Sequence, residues 1–178
     1  MPNPARRFPY ARVVARPGDR LKGLILVGPH VIPCALGRTG ITRFKREGDG
    51  GTPAARMALL YGYYRTDRIA RPPAHHRLLP TPTDLGWSDD VGDGRYNRPV
   101  TRPFKGSHEE MARADALYDT VFVLDWNVTR RALHRGSAIF LHLARPGFAP
   151  TAGCVAVTPA DMRRLLSFLA PGAELRVG

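Results

Sequence analysis

The sequence is short of cysteine, of lysine and of long apolar runs, and each shortage closes off a class of protein. Two cysteines, Cys34 and Cys154, among 178 residues are too few for a disulfide framework or a four-thiolate metal site. A Cys34–Cys154 bridge is the only disulfide open to the chain, and it would silence either thiol as a nucleophile. The apolar segment Leu24–Leu36 is interrupted by Gly28, Pro29, His30 and Pro33, well short of the roughly 20 apolar residues that a membrane-spanning helix needs. No membrane span is expected, and the polar, Pro-rich N-terminus does not read as an export leader. Acidic residues are also few, 15 against 27 Lys and Arg, which gives a formal charge of +12. That charge admits anionic partners of several kinds. It is nearly all arginine and scattered, with no dense basic run interleaved with aromatics, so nucleic acid is not expected.

What is present is an ordinary globular composition, 43% apolar, with 18 Gly and 17 Pro punctuating it. That mix predicts short strands joined by many turns. Residues 1–11 read as an N-terminal arm, and residues 12–178 as a single domain, expected to be a monomer. Strands are expected at Arg12–Ala15, Leu21–Val27, Val31–Leu36, Arg56–Tyr64, Thr120–Leu124 and Glu174–Val177. Arg65 to Lys105 reads mostly as loop, dense in Pro, Asp, Gly and His. Ser107 and Glu110 have the spacing of a capping box and predict a helix to about Tyr118, with Met111, Ala114, Leu117 and Tyr118 on one face. A second helix is expected after Thr158, with Pro159 at its first position and Met162, Leu165, Leu166 and Leu169 facing inward. The sum is a mainly β fold, mostly antiparallel and sandwich- or barrel-like, with two accessory helices.

The stretch from Gly136 to Thr158 carries the chemistry. An apolar run ends in His142, a loop rich in Pro and Gly follows, and Gly153 and Cys154 open a second apolar run. A histidine ending one strand and a cysteine starting the next can meet as base and thiol nucleophile. Gly153 lets substrate approach closely, and backbone N–H groups around Gly153 and Cys154 can face a developing oxyanion. Ser137 and Thr151 are hydroxyl residues in the same stretch, with Thr151 placed to orient the imidazole or the substrate. The alternative is that His142 and Cys154 are ordinary core residues. Cys34, inside an apolar run, reads as a buried structural thiol. His75 and His76 are adjacent and lack spaced partners, so no metal site is expected.

This segment resembles the catalytic motif of the L,D-transpeptidases of the YkuD type, in which a His on one strand precedes a Gly-Cys pair with Ser or Thr just upstream. His142, Thr151, Gly153 and Cys154 fit those positions. Gly48, Asp49, Gly50, Thr52 and Pro53 are similar to the family's Gly-Asp-Gly-x-Thr-Pro element. Tyr96, Asn97 and Arg98, then Ser107, His108 and Glu109, look like elements of a branch with a short His-to-Cys loop. The blocks fall in the family's order across residues 12–177. Two positions depart from the better-known members: Ala152 stands where a second His precedes Gly-Cys, and Ala156 where an Arg follows the Cys. Arg145, Arg98 or His108 could stand in for the missing charge.

The resemblance implies a two-step acyl transfer on peptidoglycan stem peptides in the cell envelope, with no cofactor. Cys154 would attack the diaminopimelate carbonyl and expel D-alanine, and His142 would move the proton. The acceptor would be an amine, giving transpeptidation, or water, giving a carboxypeptidase. A catalytically silent module that binds peptidoglycan or another polyanion is the third reading, and Ala152 is the feature that favours it.

Overall fold

The computed structural model describes residues 7–178. Nine strands form its main sheet: β1 (Phe8–Arg16), β2 (Asp19–Val27), β3 (His30–Ala35), β4 (Arg56–Tyr64), β5 (Leu78–Pro80), β6 (Thr120–Leu124), β7 (Phe140–Leu143), β8 (Val155–Val157) and β9 (Leu169–Val177). Their order is β6-β7-β8-β3-β2-β1-β9-β4-β5, and β4 also pairs with β6 along its other edge, which closes the sheet on itself. Closure leaves no long open edge between these strands. Most pairings are antiparallel; β1–β9, β7–β8 and β4–β5 are parallel. The mainly β, barrel-like expectation holds.

The reason the chain folds this way lies in β6 and β7, whose residues are buried along their whole length. Successive side chains point to opposite faces of a strand. Phe122, Leu124, Leu141 and Leu143 therefore enter the main core with Ile25, Ile32 and Met57. Val121, Val123 and Phe140 enter a second apolar cluster on the outer side, with Trp87, Met111 and Tyr118. A strand buried on both faces reads as a continuous apolar run rather than an alternating one.

The helix at Pro159–Phe168 is the expected one: Thr158 Oγ1 accepts from the Asp161 N–H at 3.1 Å, and Met162, Leu165 and Leu166 are buried. It runs straight into β9, so Pro171 and Gly172 lie inside a strand instead of ending the helix. The helix expected from Ser107 to Tyr118 does not form. His108–Glu110 pair antiparallel with Leu85–Ser88, which also pair with Arg98–Thr101 in a small three-stranded sheet. The carbonyls that a helix would have used are taken by arginines: Arg65 donates to Arg113 O at 2.7 Å, and Arg68 to Ala114 O at 2.9 Å and Asp115 O at 3.0 Å. The apolar residues Met111 and Tyr118 are still buried, but from an irregular segment. The span from Arg65 to Lys105, read as loop, thus contains three strands. Phe8 to Ala11, assigned from sequence to the arm, belong to β1; the first six residues lie outside the described part. Among the described residues no helix is long and apolar enough to cross a membrane.

Candidate active site

β7 and β8 bring His142 and Cys154 together. Their parallel register sets Leu141 beside Val155 and His142 beside Ala156. Phe140, His142 and Cys154 therefore share the outer face of the barrel wall, on the side of the second apolar cluster. Both Cys154 and His142 line one cavity of about 260 Å³. The thiol is tethered by backbone at both roles: Sγ accepts from the Phe140 N–H at 3.3 Å and donates to Ala138 O at 3.2 Å. The imidazole has Nδ1 2.8 Å from Leu143 O, which fixes the proton on Nδ1 and leaves Nε2 as the acceptor. The Tyr118 ring meets the imidazole edge-on, centroids 5.2 Å apart.

Burial sets the protonation states. It lowers His142 from 6.5 to about 4, against the hydrogen bond to Leu143 and with help from the Arg145 and Arg113 guanidiniums. It raises Cys154 from 9.0 to about 12, against the Phe140 N–H and with Glu109 pushing the same way. The resting pair is a neutral thiol and a neutral imidazole. With both groups neutral, the His142 Nε2 lone pair is free to accept a proton.

The turn into Cys154 is built by two blocks packed on each other. Gly153 has φ +138°, and a Cβ there would lie 2.8 Å from Gly51 O, so the Gly-rich loop leaves no room for a side chain. Thr151 Oγ1 donates to Cys154 O at 2.7 Å and accepts from the Gly153 N–H at 3.1 Å. Thr151 therefore orients the turn that carries the thiol and not the imidazole. The Gly153 N–H is engaged by that hydroxyl, so the expectation that it faces an oxyanion is not met in this arrangement. The Gly48–Pro53 block joins through Gly37, whose N–H donates to Thr52 Oγ1 at 2.8 Å.

Behind the site stands Asn97, fully buried with φ +54°. Its Oδ1 accepts from Trp87 Nε1 at 2.9 Å and from the Ala138 N–H at 3.1 Å; its Nδ2 donates to Trp126 O at 3.2 Å and Asn127 O at 2.6 Å. Ala138 is itself at φ +51°, a conformation that a non-glycine residue adopts only when its surroundings hold it there. Asn97 grips the N–H of the residue whose carbonyl receives the thiol. Tyr96 is buried and its hydroxyl donates to Glu47 Oε2, which also accepts from Ser137 Oγ at 2.8 Å.

The remaining expected residues separate. Ser137 and Arg145 line the cavity with Cys154 and His142. The Arg145 guanidinium makes no hydrogen bond or ion pair with any described residue and acts electrostatically on His142. Arg98 is spent on the backbone, donating to Asn97 O at 3.0 Å and Val128 O at 2.9 Å, and does not line the cavity. His108 also stays out of it, with Nδ1 2.8 Å from Gly106 O and its ring against Phe104. Of the substitutes for the missing charge, Arg145 is the one that reaches the site.

Other cavity groups were not singled out as site residues from the sequence: Arg38, Lys45, Asp89, Arg113 and Tyr118, and Glu109, which stood only within a family-like block. The signal for Glu109 was there. Read as a strand, residues 108–110 put His108 and Glu110 on one face and Glu109 alone on the other. The helical reading hid that alternation and drew attention to His108. Lys45 gave no signal; it is buried and its Nζ donates to Asp49 Oδ1 at 2.6 Å. Cys34 and Cys154 are both free thiols, so the possible bridge between them is not formed. Among the described residues, no group of three or more His, Cys, Asp or Glu is placed to hold a metal ion.

The family model described as the L,D-transpeptidase catalytic domain, YkuD, matches residues 16–177. Comparison with curated proteins and with solved structures returns no match. The matched span runs from the end of β1 through β9, and it includes every residue of the cavity. The chain belongs to the YkuD family of L,D-transpeptidase catalytic domains, whose cysteine chemistry acts on peptidoglycan of the cell envelope.

Proposed function

We propose that this chain is an L,D-transpeptidase in which Cys154 is acylated by a peptidoglycan stem tetrapeptide and the acyl group then passes to an amine. The observation that carries this reading is the cavity in which a backbone-tethered thiol and a neutral imidazole share one face of β7 and β8. In the first step the thiol proton passes to His142 Nε2 as sulfur attacks the diaminopimelate carbonyl. The C–N bond breaks, and the imidazolium gives its proton to the departing amine of D-alanine. Negative charge on the substrate, from its carboxylates and from the carbonyl oxygen during attack, meets cations from Arg38 and Arg145. In the second step the acceptor attacks the thioester and Cys154 leaves as the thiol. Arg145, which lines the cavity, takes the place of the charge lost at Ala156.

The test is intact-mass analysis after incubation with a disaccharide-tetrapeptide. The wild type should gain the mass of the donor less D-alanine, and Cys154→Ala should gain nothing. An unmodified wild-type protein that also binds the donor would instead support the silent binding module.

A further inference from the structure

The cavity holds two carboxylates that the acylation step does not use, and one of them works against it. Glu109 pairs opposite Trp87 in the small sheet, and Asp89, two residues beyond Trp87, projects to the same face. The backbone ties them: the Asp89 N–H donates to Ser107 O at 3.2 Å. Both side chains line the cavity with Cys154. Neither is well satisfied. Asp89 Oδ1 is buried and accepts no hydrogen bond. Glu109 Oε2 has only two long contacts, with Arg113 Nη1 and Tyr118 Oη, each at 3.4 Å. Arg113 spends its stronger bonds elsewhere, on both oxygens of Asp115 at 2.8 Å.

An under-coordinated carboxylate beside a nucleophilic thiol is costly. Burial, with Asp89 adding to it against Arg113, already raises Glu109, and the Glu109 charge in turn raises Cys154. For the first half-reaction alone, an uncharged residue at 109 would serve better. A primary ammonium resolves the conflict, because it brings three donors and a positive charge to Asp89 Oδ1, which has no donor, and to Glu109, whose donors are held at 3.4 Å.

We infer that Glu109, assisted by Asp89, is the acceptor-recognition residue of this site and selects a cationic primary amine over water. This deepens the transpeptidase reading above and rests on it. The acceptor enters as R–NH₃⁺ between the two carboxylates and gives one proton to Glu109. The freed lone pair attacks the thioester carbonyl and forms the C–N bond. The C–S bond then breaks with its electron pair going to Cys154 sulfur. A second amine proton passes through His142 to that sulfur, the third stays on the new amide, and Glu109 releases its proton to solvent. Tyr118, buried between Glu109 and His142, positions the carboxylate and holds the imidazole by its ring.

The experiment supplies one donor, the disaccharide-tetrapeptide, and two competing acceptors. D-Methionine is an ammonium at neutral pH and hydroxylamine is uncharged. In Glu109→Gln, the ratio of D-methionine product to hydroxamate should fall about ten- to hundredfold, as expected for loss of a charge-assisted hydrogen bond. Glu109→Asp should recover part of the ratio, and Asp89→Asn should lower it less. If Glu109→Gln does not fold, as judged by circular dichroism, Asp89→Asn carries the same comparison. A ratio unchanged in the folded variants overturns the inference while leaving the acyl-transfer reading intact; a wild type that forms no adduct defeats that reading itself. A purely structural role for Glu109 would slow both acceptors together and leave the ratio alone, and that result also overturns the inference. Removing the charge should further shift alkylation of Cys154 by iodoacetamide to lower pH.

Discussion

The two cysteines sit on opposite faces of one barrel wall. Cys34, in β3, points into the main core, where Gly23 makes room for it: a Cβ on Gly23 would lie 2.8 Å from its sulfur. Cys154, at the head of β8, points outward into the cavity. Both are buried, both are free, and burial pushes both up to about 12. By exposure and acidity they are the same residue. What separates them is company. Cys34 is surrounded by side chains with no proton to take or give, while Cys154 has a neutral imidazole on the neighbouring strand and backbone groups on either side of its sulfur. A low resting pKa is one route to a reactive thiol; a positioned base that accepts the proton during attack is another, and the proposed mechanism takes the second.

The comparison can be broken most sharply at the sulfurs themselves. Cys154→Ala should abolish acylation by the donor, whereas Cys34→Ala should acylate within about twofold of wild type and lose only the stability of a small core void, on the order of 1 kcal/mol. An acyl adduct that persists in Cys154→Ala, mapped by peptide mass, would reverse the assignment. Next in size is the base. His142→Gln keeps the shape of the site but cannot carry the proton, and the acylation rate measured by single-turnover mass spectrometry should fall about 10²–10⁴-fold.

A smaller effect lies in pH-dependent stability. The fold holds His142 at about 4 instead of 6.5, so its contribution is fully present above pH 6.5 and is lost as pH falls toward 4. His76 is shifted in the same direction by its burial and adds to that loss. The thiols behave in the opposite sense: held near 12 instead of 9.0, each contributes stability that is complete below pH 9.0 and lost as pH rises toward 12. Urea denaturation across pH should therefore show His142→Gln flattening the acid limb alone. Cys34→Ala and Cys154→Ala should each flatten the alkaline limb, by amounts that are alike if burial governs both thiols.

The smallest effect is at His76, on the core side of the wall. Its ring packs edge-on against Phe122 at 6.0 Å, and neither ring nitrogen has a hydrogen-bond partner. Replacing it with Phe should stabilise the protein by about 1 kcal/mol, or roughly 2–4 °C in Tm. A loss of stability would mean that the imidazole is satisfied in solution.

Much of the barrel could be read along the chain because its strands are written as apolar runs between turns, and β2, β4 and β6 fall where those runs fall. The error at Ser107–Tyr118 has a physical cause. Local spacing there favours a helix, but the edge of Leu85–Ser88 offered strand hydrogen bonds, and Arg65 and Arg68 took the free carbonyls. Those partners lie 20 or more residues away and leave no local trace. The same limit applied to the site. Cys154, His142, Gly153 and Thr151 lie within one stretch and could be read together as a candidate site. Arg98 and Asn97 are neighbours in sequence, yet one is bound to backbone carbonyls outside the cavity and the other fixes Ala138.

The sequence by itself determined the class of fold and the pairing of His142 with Cys154 as a candidate base and nucleophile, because burial patterns and adjacent strands follow from local order of residues. Only the tertiary structure decided which face of the wall each cysteine occupies, which arginine reaches His142, and that Glu109 and Asp89 meet beside the thiol. Those outcomes depend on strand register and barrel closure, where a shift of one residue sends every side chain to the other face.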